Sequence, residues 1–259
     1  MQATELNELV NRNLAGIRQT IAAACNRAGR DPTDVRIVAV TKYTDLDAVR
    51  ALLATGVHDL GENRVQQLVE RAETLGAASA GMLDQVDHTS ATPRWHMIGH
   101  LQRNKVRMLL RHTRIMHSLD SPRLIDEVEK QAQRAELTVD GFLELNVAGE
   151  ASKSGAPLAE AAPLAEAVLD CPHIRLHGLM TMAPYDPDPE TARPYFAKLR
   201  ETLGHLREAG LVGPECTHLS MGMSNDYAVA VEEGATFVRI GSALFAGVNS
   251  LDPRGTPQG

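Results

Sequence analysis

The sequence predicts an α/β fold: a single-domain (β/α)8 barrel of the TIM type with an extra N-terminal helix, covering positions 1–247, and a flexible tail over 248–259. Three observations lead there. Short apolar runs and amphipathic runs alternate eight times along the chain. Its length of 259 residues suits one large α/β domain. The glycine-rich GxGxxG turn that would mark an open dinucleotide-binding sheet is missing after the first strand.

The first element is a helix, because Leu6, Val10, Leu14, Ile17 and Ile21 recur at spacings of four and three. It ends near Gly29, and Pro32 lies beyond the boundary. Val35–Thr41 is a continuous apolar run, the mark of a strand buried on both faces of a parallel sheet. Asp45–Ala54 reads as a helix. A short strand, Val57–Leu60, leads through Gly61-Glu62-Asn63-Arg64 into a helix that runs to about Leu75. Arg94–Ile98 is the third strand, Gln102–Arg111 a helix and Arg114–Ser118 the fourth strand. Pro122 stands where proline favours a helix start. Gly141–Val147 is the fifth strand, Leu158–Leu169 a helix, and Ile174–Met182 the sixth strand. Thr191–Ala209 is a helix closed by Gly210. His218–Ser220, a helix from about Asn225 to Glu233, and the strand Phe237–Ile240 complete the pattern. Gly76–Thr92, rich in Ala, Ser, Thr, Gly and Asp, is long for a connection and reads as poorly ordered.

Lys plus Arg is 26 and Asp plus Glu is 33, a formal net charge of −7. That argues against a general nucleic-acid or membrane-surface role. Cys25, Cys171 and Cys216 are far apart, odd in number and without metal spacing, which points to a reducing cytoplasm. The acidic start has no signal-peptide character, and no apolar run approaches the length of a membrane span.

A barrel gathers the carboxyl ends of its strands on one face. The residues there are Lys42, Asn63, His100, Ser118, Asn146, Met180 with Met182, Ser220 with Ser224, and Arg239 with Gly241 and Ser242. Lys42 at the end of a buried strand is a candidate for a Schiff base, although alone it is as readily a strand-ending cation that snorkels to water. Ser220-Met221-Gly222-Met223-Ser224 and Gly241-Ser242 fall in the loops after strands seven and eight, the usual phosphate site of this fold. Glycines there let backbone N–H groups approach an anion. Each charge-assisted hydrogen bond contributes about 1.5–3 kcal/mol. Either motif alone is equally an N-cap or a turn. A Schiff-base lysine, a phosphate cup and a nearby guanidinium together suggest pyridoxal 5′-phosphate (PLP), with Arg239 facing the ring nitrogen or, alternatively, forming an ion pair inside the barrel.

These segments resemble the pyridoxal phosphate homeostasis proteins, which look like the barrel domain of alanine racemase standing alone. The matching residues are Ala39-Val40-Thr41-Lys42, Gly61-Glu62-Asn63, the run Trp95–Lys105, His117-Ser118-Leu119-Asp120, Gly178–Met182, Ser220–Asp226 and Arg239-Ile240-Gly241-Ser242. The resemblance implies that Lys42 carries the aldimine. It implies that Ser220, Ser224, Gly241 and Ser242 hold the phosphate, Asn63 lies near the ring substituents, and Met180 and Met221 line the ring pocket. Lys153, in a segment like the family's fifth loop, is a second possible contact, and the role of Lys105 is open.

His96 with His100 and His173 with His177 are spaced by four, but no carboxylate or cysteine completes a metal set, and none is expected. The function expected is a PLP carrier in intracellular homeostasis, buffering the cofactor and passing it to apo-enzymes, as a monomer without robust catalysis. The alternative is an amino-acid racemase, which needs an acid/base on each face of the bound substrate. Tyr43, Tyr185, Tyr195 and Tyr227 offer no clear partner for Lys42, and no room is expected for the second domain that supplies one in alanine racemase. A barrel without cofactor, acting only as a binding partner, is the third reading.

Overall fold

A computed structural model describes residues 2–76, 83, 92–150 and 154–248. Most of the loop expected between Gly76 and Thr92, Lys153, and the tail beyond Val248 lie outside the described residues. The chain opens with the helix α1 (Ala3–Ala28). Strands and helices then alternate: β1 (Arg36–Val40), α2 (Leu46–Leu53), β2 (Asp59–Glu62), α3 (Val65–Leu75), β3 (Arg94–Met97) and α4 (Val106–Leu109). The second half follows with β4 (Ile115–Leu119), α5 (Pro122–Arg134), β5 (Val139–Asn146), α6 (Ala161–Leu169) and β6 (Ile174–Met180). α7 (Arg193–Glu208), β7 (His218–Met223), α8 (Tyr227–Glu232) and β8 (Phe237–Ile240) end it.

Each strand pairs in parallel with the next, and β8 pairs in parallel with β1, so the sheet closes into the expected eight-stranded barrel. Closure removes every open edge. The N-terminal helix is extra in sequence but not in space. α1 packs between α8 and α2 and fills the place of the helix that would follow β8. Val10, Leu14, Ile17 and Ile21 are its buried stripe. Asn13 donates to the carbonyls of Leu244 and Ala246 at 3.0 and 2.9 Å, tying the helix to the turn after β8.

Three elements depart from the sequence pattern. β2 lies two residues further along than Val57–Leu60, because the Asp59 carboxylate is satisfied inside the barrel by Arg94 and His96 instead of turning to solvent. The helix expected over Gln102–Arg111 is a 3-10 turn, Arg103–Lys105, and one α-turn, α4. The Leu109 carbonyl accepts from both His112 and Thr113, at 2.9 and 3.1 Å, which ends it. β7 runs on to Met223, where a short strand to Ser220 was expected.

The main apolar layer lies between barrel and helices. The inner layer is small: Val38, Leu83, Ile98, Ile115, Phe142, Met180 and Phe237. Beside it, Asp59, His96, His117, Asp140, Glu144, His177, Ser220 and Arg239 are buried. Barrel interiors of this type are usually filled by branched aliphatic residues, so each polar group here needs a partner. At the amino-terminal end Asp140 has three: the Leu83 N–H at 2.6 Å, His177 at 2.9 Å and Arg175 at 2.8 Å.

The loop after β1 is pinned from α3. Gln67 donates to the Lys42 carbonyl at 2.7 Å, and Arg71 donates to the Thr44 carbonyl at 2.5 Å. Arg71 also pairs with Glu62 at 3.2 Å, and Thr41 donates to the same carboxylate at 2.5 Å. Burial pushes the Glu62 carboxyl up to about 7, against the pull of Arg71, Thr41 and Lys42. Its second oxygen has no partner among the described residues.

Two outcomes follow from this architecture. A Cβ at Gly178 would sit 1.8 Å from the His218 carbonyl oxygen on the adjacent strand, and neither backbone can yield. Gly178→Ala is expected to cost about 3 kcal/mol or more, measured by urea unfolding. Folded Glu62 holds its proton more tightly than the unfolded chain does, since its pKa rises from 4.5 to about 7. Stability from this group is complete at low pH and is lost as pH rises through about 7. Glu62→Gln is expected to flatten that part of the stability profile between about pH 4.5 and 7, read by urea unfolding at a series of pH values.

Candidate functional site

Lys42 stands two residues past the end of β1, and Arg239 lies on β8 in register with Val38 of β1. Barrel closure therefore brings the two cations expected at the site to neighbouring strands. The β7 end supplies the next wall. Gly222 has φ 89°, and a Cβ there would meet the Ala230 Cβ at 2.5 Å. This left-handed residue, with a register shift between Ser220 and Met223, turns the chain so that Ser224 arrives over the start of the turn after β8. The Ser224 hydroxyl accepts the N–H groups of Gly241 and Ala243, both at 3.2 Å. Asp226 accepts the Met223 N–H at 2.6 Å and holds the turn. Asn225 donates to the Asp186 carbonyl at 2.8 Å and ties it to the loop after β6.

These elements border a cavity of about 620 Å³. Of the residues singled out in the sequence, Lys42, Ser224, Arg239, Gly241 and Ser242 line it. Tyr43 and Thr44 extend the β1 side, and Pro184, Tyr185, Ala192, Phe245 and Val248 form the outer wall. The Lys42 ammonium stands 5.1 Å from the centre of the Tyr43 ring. Lysine, serine hydroxyls, glycine backbone and a guanidinium on this wall form a donor set for a phosphorylated carbonyl compound, with Asp186, Asp188 and Asp226 on the same cavity.

The other expected residues lie elsewhere. Ser220 is fully buried; it accepts from Arg239 at 2.7 Å and bonds His117 at 2.8 Å, so its hydroxyl is engaged inside the barrel and not at the cavity wall. Met221 packs in the layer between barrel and helices, on the opposite side of β7. Met180 belongs to the inner apolar cluster beneath the mouth. Asn63 is half-buried just past β2, with Gly99 packed against its backbone. Lys105 is bonded to Gln66 at 3.2 Å on the exposed rim, and exposed His100 pairs with Asp120 at 3.2 Å.

Arg239 donates to Ser220 and, at 2.8 Å, to the Thr181 carbonyl. Burial lowers its pKa to about 10, with Glu144 and Asp226 opposing the shift, so it remains a cation at neutral pH. Burial likewise raises Glu144, whose partner is Ser154 at 2.7 Å, and Asp226. Sequence reasoning missed Gln67 and Arg71, which hold the Lys42 loop, and the histidines behind Ser220. The signal for the histidines is a polar residue inside an apolar strand, weak beside the apolar pattern; for Gln67 and Arg71, on α3, it is no more than a polar residue on an amphipathic helix.

Residues 13–248 match the model of the alanine racemase N-terminal domain. A pyridoxal phosphate homeostasis protein of Aquifex aeolicus is 39% identical over 233 residues, 90% of this chain and 95% of its own length. A crystal structure of an unknown protein from Bifidobacterium adolescentis superposes with a TM-score of 0.82 at 36% identity, over 94% of this chain and 95% of that one. PipY of Synechococcus elongatus PCC7942, in a structure with PLP bound, gives a TM-score of 0.74 at 27% identity, over 92% of this chain and all 100% of its own. The chain belongs to the alanine racemase N-terminal domain family and, within it, to the pyridoxal phosphate homeostasis proteins.

Proposed function

We propose that this chain binds PLP through a Schiff base on Lys42 and serves cofactor homeostasis, buffering PLP and passing it to apo-enzymes. The observation that carries the reading is the meeting of Lys42, Arg239, Ser224, Gly241 and Ser242 on one cavity. A relative of the same fold binds PLP, and close relatives bear homeostasis in their names. PLP supplies an aldehyde for the lysine amine and a phosphate that needs anchoring.

In this reading each residue has one task. Lys42 holds the cofactor covalently, and α3 holds Lys42 through its carbonyl. Ser224, Gly241 and Ser242 receive the phosphate, with Ser224 keeping the Gly241 and Ala243 N–H groups aligned beforehand. Arg239 faces the ring nitrogen as a fixed cation. Asn63 and Met180 lie beneath or beside the mouth as secondary contacts. Ser220 and Met221 act from behind, Ser220 by holding Arg239 and Met221 by packing β7 against the helices.

Binding is favoured over racemisation by what surrounds the lysine. Tyr43 offers its ring to the amine, and Tyr185, on the outer wall, is 80% exposed. Neither is held in place as an opposed acid/base. The three cysteines are buried free thiols, which suits a reducing cytoplasm. No helix among the described residues is long and apolar enough to cross a membrane. Exposed large apolar side chains among those residues are Tyr43 and Tyr185, at the cavity, and the isolated Leu169, consistent with a monomer.

Added PLP is expected to give a visible absorbance band that borohydride locks onto Lys42, identified by peptide mass; Lys42→Ala should lack it. A colourless protein that takes up no PLP would sink the proposal. Amino-acid α-proton exchange in heavy water at enzymatic rates, lost in Lys42→Ala, would instead establish the racemase-like alternative. Ser224→Ala should weaken PLP about tenfold or more while leaving the lysine linkage intact, as read by equilibrium dialysis and borohydride trapping.

A further inference from the structure

We propose that His117 is the positioning residue of this site: it is the centre of a one-way chain of hydrogen-bond donors that runs through the barrel and fixes the Arg239 guanidinium by way of the Ser220 hydroxyl. The part that concerns the cofactor rests on the PLP reading above; the chain itself does not.

The links are short and buried. Arg239 Nη1 lies 2.7 Å from Ser220 Oγ, and Ser220 Oγ lies 2.8 Å from His117 Nδ1. His117 Nε2 is 3.0 Å from His96 Nδ1, and His96 Nε2 is 3.0 Å from an Asp59 carboxylate oxygen. Asp59 also accepts two bonds from Arg94, at 2.7 and 2.8 Å. Ser220 and His117 are fully buried and His96 is nearly so.

The chemistry of the two ends sets the direction. A guanidinium can only donate, so Ser220 accepts from Arg239. Burial would raise the Asp59 carboxyl, but the two bonds from the Arg94 guanidinium and the bond to His96 oppose it, so Asp59 stays a carboxylate and only accepts. Between these ends one arrangement of neutral groups gives every hydrogen an acceptor. Ser220 donates to His117 Nδ1, His117 Nε2–H to His96 Nδ1, and His96 Nε2–H to Asp59. Both histidines are then neutral Nε2–H tautomers. The competing arrangement makes His96 an imidazolium, puts the His117 proton on Nδ1, and leaves the Ser220 hydrogen with no acceptor. Buried polar hydrogens rarely go without one.

The surroundings favour the neutral chain. The His117 ring stacks on Phe142 with centres 4.3 Å apart and meets the edge of Phe237 at 5.9 Å. Burial holds the His117 pKa well below its ordinary value, and the Arg239 cation pushes the same way; the other titratable groups facing it are His96 and His218. Neutral acceptors spend two of the five guanidinium N–H groups, on Ser220 and on the Thr181 carbonyl, and leave three for a ligand in a fixed plane.

The test uses the full chain. Histidine side-chain 15N spectra without added cofactor should show the His117 and His96 rings both as Nε2–H tautomers, with His117 staying neutral between about pH 6 and 8. An Nδ1–H His117 or an imidazolium His96 would overturn the proposal. His117→Phe keeps the ring volume and removes the acceptor. It should let the Arg239 N–H signals average, weaken PLP about tenfold and shift the absorbance of bound PLP. His117→Asn, whose amide oxygen can stand in for Nδ1, should restore all three. Unchanged Arg239 signals, affinity and band in His117→Phe would reduce His117 to core filler. If that variant does not fold, Ser220→Ala breaks the next link and should show the same loss. Wild-type protein that gave the expected histidine signals but took up no PLP would refute the PLP reading and leave the donor chain standing.

Discussion

A guanidinium removed from water is the constraint on which this barrel depends. Arg239 is 3% exposed, and no carboxylate touches it directly; its partners are a hydroxyl and a carbonyl. An unpaired buried cation is very costly, so the groups around it cannot be arbitrary. β7 must present Ser220 inward, β6 must end with the Thr181 carbonyl pointing across, and something must sit behind Ser220 to use its hydrogen. The polar interior of the barrel follows from that requirement, and so does its small inner apolar layer. The same requirement makes the site rigid before any ligand arrives, because the cation at its back wall has little freedom to move.

The mouth is built differently from the interior. Lys42 sits on a loop whose backbone is gripped from outside the barrel by α3, through Gln67 and the Arg71–Glu62 pair. The cup at the end of β7 and β8 is held by one hydroxyl shared between two backbone N–H groups. On the proposed reading, a covalent anchor on a pinned loop, a pre-aligned anion cup and a fixed cation would need no moving part to bind a small phosphorylated aldehyde. Such an arrangement would hold its ligand well, as the proposed carrier function requires.

Much of this was legible in the sequence because barrel strands follow a simple grammar. Apolar runs announced the strands, and the residues ending them announced the mouth, so Lys42, Arg239, Ser224, Gly241 and Ser242 could be read as neighbours. Ser220 could not be placed, since strand alternation alone assigns Ser220 and Ser224 to one face. The positive φ of Gly222 and the register shift beside it break that alternation and send the two hydroxyls to different tasks. Asp59, His96 and His117 were hidden for another reason. They come from three strands far apart in sequence, and a polar residue inside an apolar pattern looks like a turn or a flaw until its partner is known. The short α4 was misread as a long helix because Gln102–Arg111 has helical composition, while only Val106, Leu109 and Leu110 are buried in it.

The place of α1 in the helix ring has a consequence for how the molecule is made. The helix is translated before the barrel strands, yet the surfaces that cover its apolar stripe belong to α2, α8 and the turn after β8. Half of its shelter is therefore translated only after seven strands of the barrel. Until then the nascent chain carries an uncovered stripe of Val10, Leu14, Ile17 and Ile21, a natural target for holding chaperones. Docking of α1 and arrival of β8 complete the barrel in one cooperative event, and β8 brings Arg239 with it. A ribosome-bound intermediate that lacks β8 is thus expected to lack a finished cofactor pocket, so that PLP is captured only by chains in which β8 has been made.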